Sequence, residues 1–320
     1  MSPCMKDIEV MAAVVYTLSV VLVALVLYAY LVRFSRWSNG WSPSRRARTW
    51  RPLEPLLAAV RAMRKPATMP AGVKRAAYLA GPVVSVVAGL TALLLLPWRA
   101  GAPPLVDWNV PLTTVLGLCA VSLFGSVMDG WASSEATERR SAYTVAVRGW
   151  AFLLIALLAL GTTTVVLTNS WDPHVLVDSQ RTAWPMVLFQ PLGFYLFVVA
   201  MLLASPRAPQ DALRGSRWLL ADFHLQHSGS ITALYHLSEH VHVMVTGLIS
   251  ALVYLGGWLG PGGDVLPWAP LKALAVVLVL EWARPRLLQR HAARTPWAIY
   301  FLLAILNLGL TVGLAWWGIP

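Results

Sequence analysis

Cysteine is almost missing from these 320 residues, with Cys4 and Cys119 the only two. So few thiols exclude a disulfide scaffold, and any cysteine-held zinc or iron–sulfur site within this chain. Charge is scarce too, at 12% of residues, and acidic side chains number 14 against 25 basic ones. No Gly/Ser-rich linker divides the chain and no unit of roughly 20–50 residues recurs, so it reads as one domain over residues 1–320. What is plentiful is apolar: 58% of the residues are hydrophobic. A water-soluble core cannot hide that much apolar surface, and a disordered chain does not carry it.

The apolar residues are gathered into runs long enough to cross a hydrocarbon layer of about 30 Å as helix. Eight such runs are expected, at residues 10–32, 79–98, 111–128, 149–168, 185–204, 232–255, 266–283 and 297–317. The first follows Lys6, Asp7 and Glu9 without a small-residue cleavage site, so it reads as a retained span. The segments 33–78, 129–148, 205–231 and 284–296 hold 21 of the 25 Lys and Arg residues. By the positive-inside rule this puts those loops in the cytoplasm and both termini outside. It also accounts for the net charge of +11 without nucleic acid. Trp98, Trp131, Trp184, Trp268 and Trp297 fall near span ends, where an amphipathic ring sits at headgroup level.

Two loops and one span carry candidate function. In the first basic loop, Leu53, Leu56, Leu57, Val60 and Met63 share one helical face, with Pro52 and Pro55 confined to the first turn. Residues 52–64 are therefore an expected in-plane amphipathic helix, either a surface anchor or the floor of a lipid-accessible ligand site. The third basic loop mixes Arg207, Asp211, Arg214, Arg217, Asp222, His224 and His227 with Trp218 and Phe223. Just beyond it, His236-Leu237-Ser238-Glu239-His240 matches the H-x-x-E-H pattern of inverted zinc metallopeptidases. No third ligand stands out in a matching segment, and no other span holds a histidine for a bis-histidine haem. Ionisable groups inside spans are costly and mark function by default. Here they are Glu239, Lys272 and Glu281, of which Lys272 can snorkel outward and Glu281 can pair with Arg284 or reach water. Glu239 lies about two turns into its helix, where a carboxylate needs a partner or a hydrated cavity.

Ordered strings along the chain resemble one family. They are Arg51-Pro52-Leu53, Gly130-Trp131-Ala132-Ser133, Gln190-Pro191-Leu192-Gly193-Phe194, Arg207-Ala208-Pro209-Gln210-Asp211, Ser228-Gly229, Glu239, Gly256-Gly257-Trp258 and Pro285-Arg286 through Leu306-Asn307-Leu308. In order and spacing they are similar to the H subunits of NADH-quinone oxidoreductase, the bacterial counterparts of mitochondrial complex I subunit 1. The resemblance implies eight spans plus an in-plane helix. It implies a bacterial inner-membrane subunit that lines a quinone chamber between membrane and peripheral arms. Its partners would be other membrane-arm subunits, iron–sulfur peripheral subunits and the lipid bilayer. Quinone would bind at the interface, with no cofactor held by this chain alone. On this resemblance Arg36, Arg51, Phe223 and His224 are expected near quinone. Glu239, Glu281, Asp211 and Arg207 are expected in proton relay and coupling.

The chain departs from the family pattern in one direction. Three Glu positions of the loop read Arg214, Ser216 and Trp218, and two others read Gln226 and Ala204. Near the first span and the in-plane helix, Trp37 and Pro55 stand where charged residues are usual. The leading expectation is a quinone-chamber subunit with weakened proton translocation. The alternative is a structural membrane anchor of a related redox complex, and the more distant one a membrane zinc peptidase.

Overall fold

The structure is a computed structural model. It describes residues 72–99, 111–132, 136–181, 184–205, 230–261, 267–291 and 297–316, together with Val26, Arg61, Arg64 and Lys65. Its helices, in chain order, are α1 (Arg75–Leu95), α2 (Leu112–Ala132), α3 (Ala136–Leu167), α4 (Pro173–Ser179), α5 (Met186–Phe189), α6 (Pro191–Ala204), α7 (Ser230–Tyr254), α8 (Trp268–His291) and α9 (Trp297–Trp316). Among the described residues there is no strand. Arg75–Leu95, Leu112–Ala132, Ala142–Thr164 and Ala233–Tyr254 are each long and apolar enough to cross a bilayer, and Pro191–Ala204 and Trp297–Gly313 are shorter apolar helices. The molecule is thus an all-helical, multi-pass membrane protein. The expected span at 10–32 and the expected in-plane helix at 52–64 lie outside the described residues.

Where expectation and structure overlap, some helices outrun the apolar runs. α3 begins at Ala136, well before the apolar run at 149, and takes in Arg139, Arg140 and Arg148. Hydropathy marks the part of a helix that lipid surrounds, while backbone hydrogen bonding continues into water. The same holds for α8, which continues to His291. The run 185–204 is broken: α5 is a single turn, and Gln190 separates it from α6 with φ −127° and ψ 57°. One proline causes this. Pro191 disfavours helical backbone at the residue before it, yet its own fixed φ suits the first position of the next helix.

α7 is the axis of the bundle. Of its most apolar stretch, 89% is buried, against 50% for each of the other three long apolar helices. It packs on α1, α8, α6 and α4, while α3 gathers α2, α6 and α9. Its C-terminus is closed by Gly256 (φ 71°) and Gly257 (φ 48°), left-handed backbone that glycine adopts without strain. The Gly257 amide donates to Ala251 O at 2.7 Å. The Gln180 amide group donates to Val253 O (3.0 Å) and Leu252 O (3.3 Å), and the Lys272 ammonium donates to Leu255 O (2.6 Å) and Leu259 O (2.5 Å). Lys272 therefore does not reach outward, as expected of it, but caps the negative end of α7. Outward-facing Val83, Val87, Leu154, Val279, Leu302, Ile305 and Leu310 give the bundle the apolar exterior that lipid requires.

α1 and α2 touch backbone to backbone. A Cβ on Gly125 would lie 2.3 Å from Gly81 O and 2.1 Å from Ser85 Oγ. Small residues are what allow such an approach in lipid. Gly125→Val is expected to destabilise the detergent-solubilised protein by about 1–3 kcal/mol in thermal unfolding, because overpacking must part the helices. Gly117 has open space around it, so Gly117→Ala is expected to leave stability unchanged or raise it by up to about 1 kcal/mol.

Candidate functional site

The first half of α7 carries a largely buried group of ionisable side chains inside the bundle. Reading inward, it presents Tyr235, His236, Ser238, Glu239 and His242. Glu239 is 1% exposed and Tyr235 2%, Ser238 and His242 are buried as well, and His236 lies open. Residues 236, 239 and 242 are spaced three apart, so they follow one ridge of the helix. A helix surrounded by lipid could not keep such a set; a helix enclosed by others can, provided each group finds a partner.

The partners come from α7 itself and from its neighbours. His236 Nδ1 lies 3.3 Å from Glu239 Oε2, an i,i+3 contact in which the carboxylate side chain is 2% exposed and the imidazole 50%. His240 Nδ1 turns back to the carbonyl of His236, and His242 Nε2 meets Met201 O of α6 at 3.2 Å. The Tyr235 hydroxyl donates to Asp129 Oδ2 of α2 at 2.9 Å. Gly81 of α1 makes room for that pair: a Cβ there would lie 3.2 Å from both Asp129 Cβ and the Tyr235 hydroxyl. Further along, Ser238 Oγ is 3.3 Å from Ser122 Oγ, and Ser85 and Ser122 each donate to the other's carbonyl region: Ser85 Oγ to Ser122 O at 2.7 Å and Ser122 Oγ to Ser85 O at 3.0 Å. The interface of α1, α2 and α7 is thus a polar seam inside an apolar bundle.

The expected site residues divide into two groups. Glu239 is buried on α7 as its position in the run implied, and the structure joins it to His236. Glu281 is buried on α8, which packs against α7. Arg36, Arg51, Arg207, Asp211, Phe223 and His224 lie outside the described residues. Asp129 was not anticipated, because its apolar run ends at residue 128 while α2 continues to Ala132. The signal was there: Asp129 directly follows the run, and a helix that overshoots its apolar stretch by one turn brings it inside.

The seam holds donors and acceptors of protons and no assembled metal set. Among the described residues, no group of three His, Cys, Asp or Glu side chains could hold a metal ion. In H-x-x-E-H, His236 is engaged by the carboxylate, and His240 by the backbone. Imidazole, carboxyl and phenol side chains one turn apart can take up, hold and pass on a proton.

A second polar cluster lies at the helix break. Gln190 donates to Thr311 Oγ1 of α9 at 2.8 Å and accepts from Asn307 at 3.3 Å, and Asn307 also reaches Thr162 of α3 at 3.3 Å. It ties the interrupted helix to its neighbours.

The chain matches the NADH dehydrogenase family over residues 14–312. It is 30% identical, over 321 residues, to an NADH-quinone oxidoreductase H subunit of Syntrophobacter fumaroxidans, a match that covers 94% of this chain and 95% of that protein. An H subunit of the same enzyme in Geobacter metallireducens is 28% identical over 97% of this chain and 98% of its own length. The H subunit of the Thermomicrobium roseum enzyme is 30% identical over 83% and 84%.

The Asp129–Tyr235 bond is testable by itself. A double-mutant cycle with Asp129→Ala and Tyr235→Phe is expected to give a coupling energy of about 0.6–1.7 kcal/mol in denaturation experiments, the range for side-chain hydrogen bonds between membrane helices. Additive effects would mean that the two groups do not support one another.

Proposed function

The chain belongs to the NADH dehydrogenase family, as a divergent H subunit of NADH-quinone oxidoreductase, and from that premise we propose how it works. It is a membrane subunit of a complex I-like enzyme and contributes to an oxidoreductase whose electrons reach quinone. In the finer reading, it lines the quinone chamber and joins the peripheral to the membrane arm, with iron–sulfur subunits on one side and further membrane subunits on the other. Quinone is bound at that interface, with Arg36, Arg51, Phe223 and His224 as its neighbours. Arg207 and Asp211 act in coupling quinone to the membrane interior. Glu239 and Glu281 relay protons within the bundle.

The observation that carries this reading is a carboxylate, Glu239, held 1% exposed inside a chain that aligns with these membrane subunits nearly end to end. Burying a charge among apolar helices costs several kcal/mol, so a group kept there without a chemical task would be a standing liability. The anchor reading draws on Arg214, Ser216 and Trp218 standing in place of acids. It leaves the enclosure of Glu239 unexplained, and the relatives are named as oxidoreductase subunits. The peptidase reading fails to explain why both histidines of the motif are turned to other partners.

The arrangement in the membrane follows from the charge distribution. Eight spans and the in-plane helix at 52–64 place the four basic loops on the cytoplasmic face of the bacterial inner membrane and both termini outside. Single cysteines placed within 33–78 and within 284–296 are expected to react with a membrane-impermeant maleimide from the same side. Reaction from opposite sides would overturn the topology.

Glu239→Gln keeps the shape and removes the exchangeable proton. In the assembled complex it is expected to lower the number of protons moved per electron, because the step that Glu239 serves slows about 100-fold or more once its acid–base group is gone. Assembly, judged by native gel, is expected to persist. Unchanged proton yield would identify the chain as an anchor without proton chemistry.

A further inference from the structure

We infer that His236 is the port through which Glu239 exchanges its proton with the exterior of the bundle. The inference rests on the reading of Glu239 as a relay group and adds the route by which that group is served. A carboxyl that is 2% exposed cannot trade protons with solvent directly, and the side chain that bridges it outward is an imidazole that is itself half exposed. His236 uses Nδ1 toward Glu239 Oε2, at 3.3 Å. Its other ring nitrogen points away from that bond, as ring geometry dictates. An imidazole can accept a proton at one nitrogen and release one from the other, which no other neutral side chain of this size does.

The step balances without a further reactant. A proton arriving at Nε2 makes the ring an imidazolium, and the proton on Nδ1 then passes to the Glu239 carboxylate. The products are a neutral imidazole and a carboxylic acid, and discharge runs in reverse. The i,i+3 spacing that makes H-x-x-E look like half a zinc site is also the spacing that lets the ring and the carboxylate meet. His240 does not compete for the carboxylate through Nδ1, because that nitrogen is turned to the carbonyl of His236. The same contact steadies the turn that presents the ring. On the inward side, the ridge continues to His242, buried against Met201 of α6. The Asp129–Tyr235 pair flanks the opposite edge of this helix start. The exposed histidine is therefore the outermost member of the row 236, 239, 242, and the carboxyl its second.

The test compares His236→Gln, His236→Phe and Glu239→Gln in the assembled, membrane-embedded enzyme, reading protons moved per electron transferred. His174→Gln serves as the control, since this histidine lies on α4 with its ring against Trp258. Gln can still donate a hydrogen bond to Glu239 but cannot pass a proton through its ring. Both His236 variants are expected to lower proton yield, because proton exchange with Glu239 slows about 100-fold or more without the ring. Imidazole added to the medium is expected to restore part of the loss in His236→Gln and none of it in Glu239→Gln. Normal yield in both His236 variants, with Glu239→Gln defective, would overturn the port while leaving Glu239 as a relay. Normal yield in Glu239→Gln would remove the relay itself and the port with it. A loss in the His236 variants that imidazole does not relieve, and that follows lowered thermal stability, would reduce the contact to a structural ion pair.

Discussion

A helix enclosed by other helices inside a bilayer has nowhere but its neighbours to satisfy its polar groups, and α7 lives under that constraint. Water is not at hand, and lipid offers neither donors nor acceptors. Tyr235, Ser238 and His242 have each recruited something: Asp129 from α2, Ser122 from the same helix, Met201 O from α6. The last turn of α7 is closed by Gln180 and Lys272. The bundle's packing order follows from this, because the helices that touch α7 are those that supply its partners or, as with α1, supply the small residues that let partners come close. The constraint also explains how an ionisable row can survive in so apolar a chain. Enclosure is what makes Glu239 tolerable, and enclosure is what isolates its carboxyl from bulk water.

Much of this architecture was legible in the amino-acid pattern. Apolar runs located each described long helix, because lipid demands the same hydrophobic length whatever the fold. Glu239 was marked by being an acid in such a run. What stayed hidden has a common cause: hydropathy reports the solvent of a segment and is silent on its backbone. α3 therefore began thirteen residues before its apolar run, residues 136–148, and α2 carried Asp129 into the core beyond the last apolar position. The break at Gln190 was written in Pro191, yet an apolar run around one proline reads as a single span on hydropathy alone. Lys272 was expected to reach water, and it found two carbonyls nearer than any interface.

The H-x-x-E-H string shows how spacing underdetermines chemistry. Three residues apart on a helix is a distance at which side chains meet, and metal coordination is only one of the things that meeting can produce. With one histidine on the carboxylate and the other on the backbone, the string becomes a hydrogen-bonded chain along α7. The family relationship agrees, since the relatives are subunits of an NADH-quinone oxidoreductase.

The contact between Gly81, Ser85 and Gly125 has a mechanical corollary. Two rods whose main chains bear directly on each other cannot slide or twist without a collision, so α1 and α2 must move as a single plank. Serines 85 and 122 pin that plank by trading bonds with each other's carbonyls. Any rearrangement that turnover imposes on this half of the bundle must then be taken up where the plank meets α7, at the Tyr235–Asp129 and Ser238–Ser122 contacts, whose bonds can be exchanged without backbone strain.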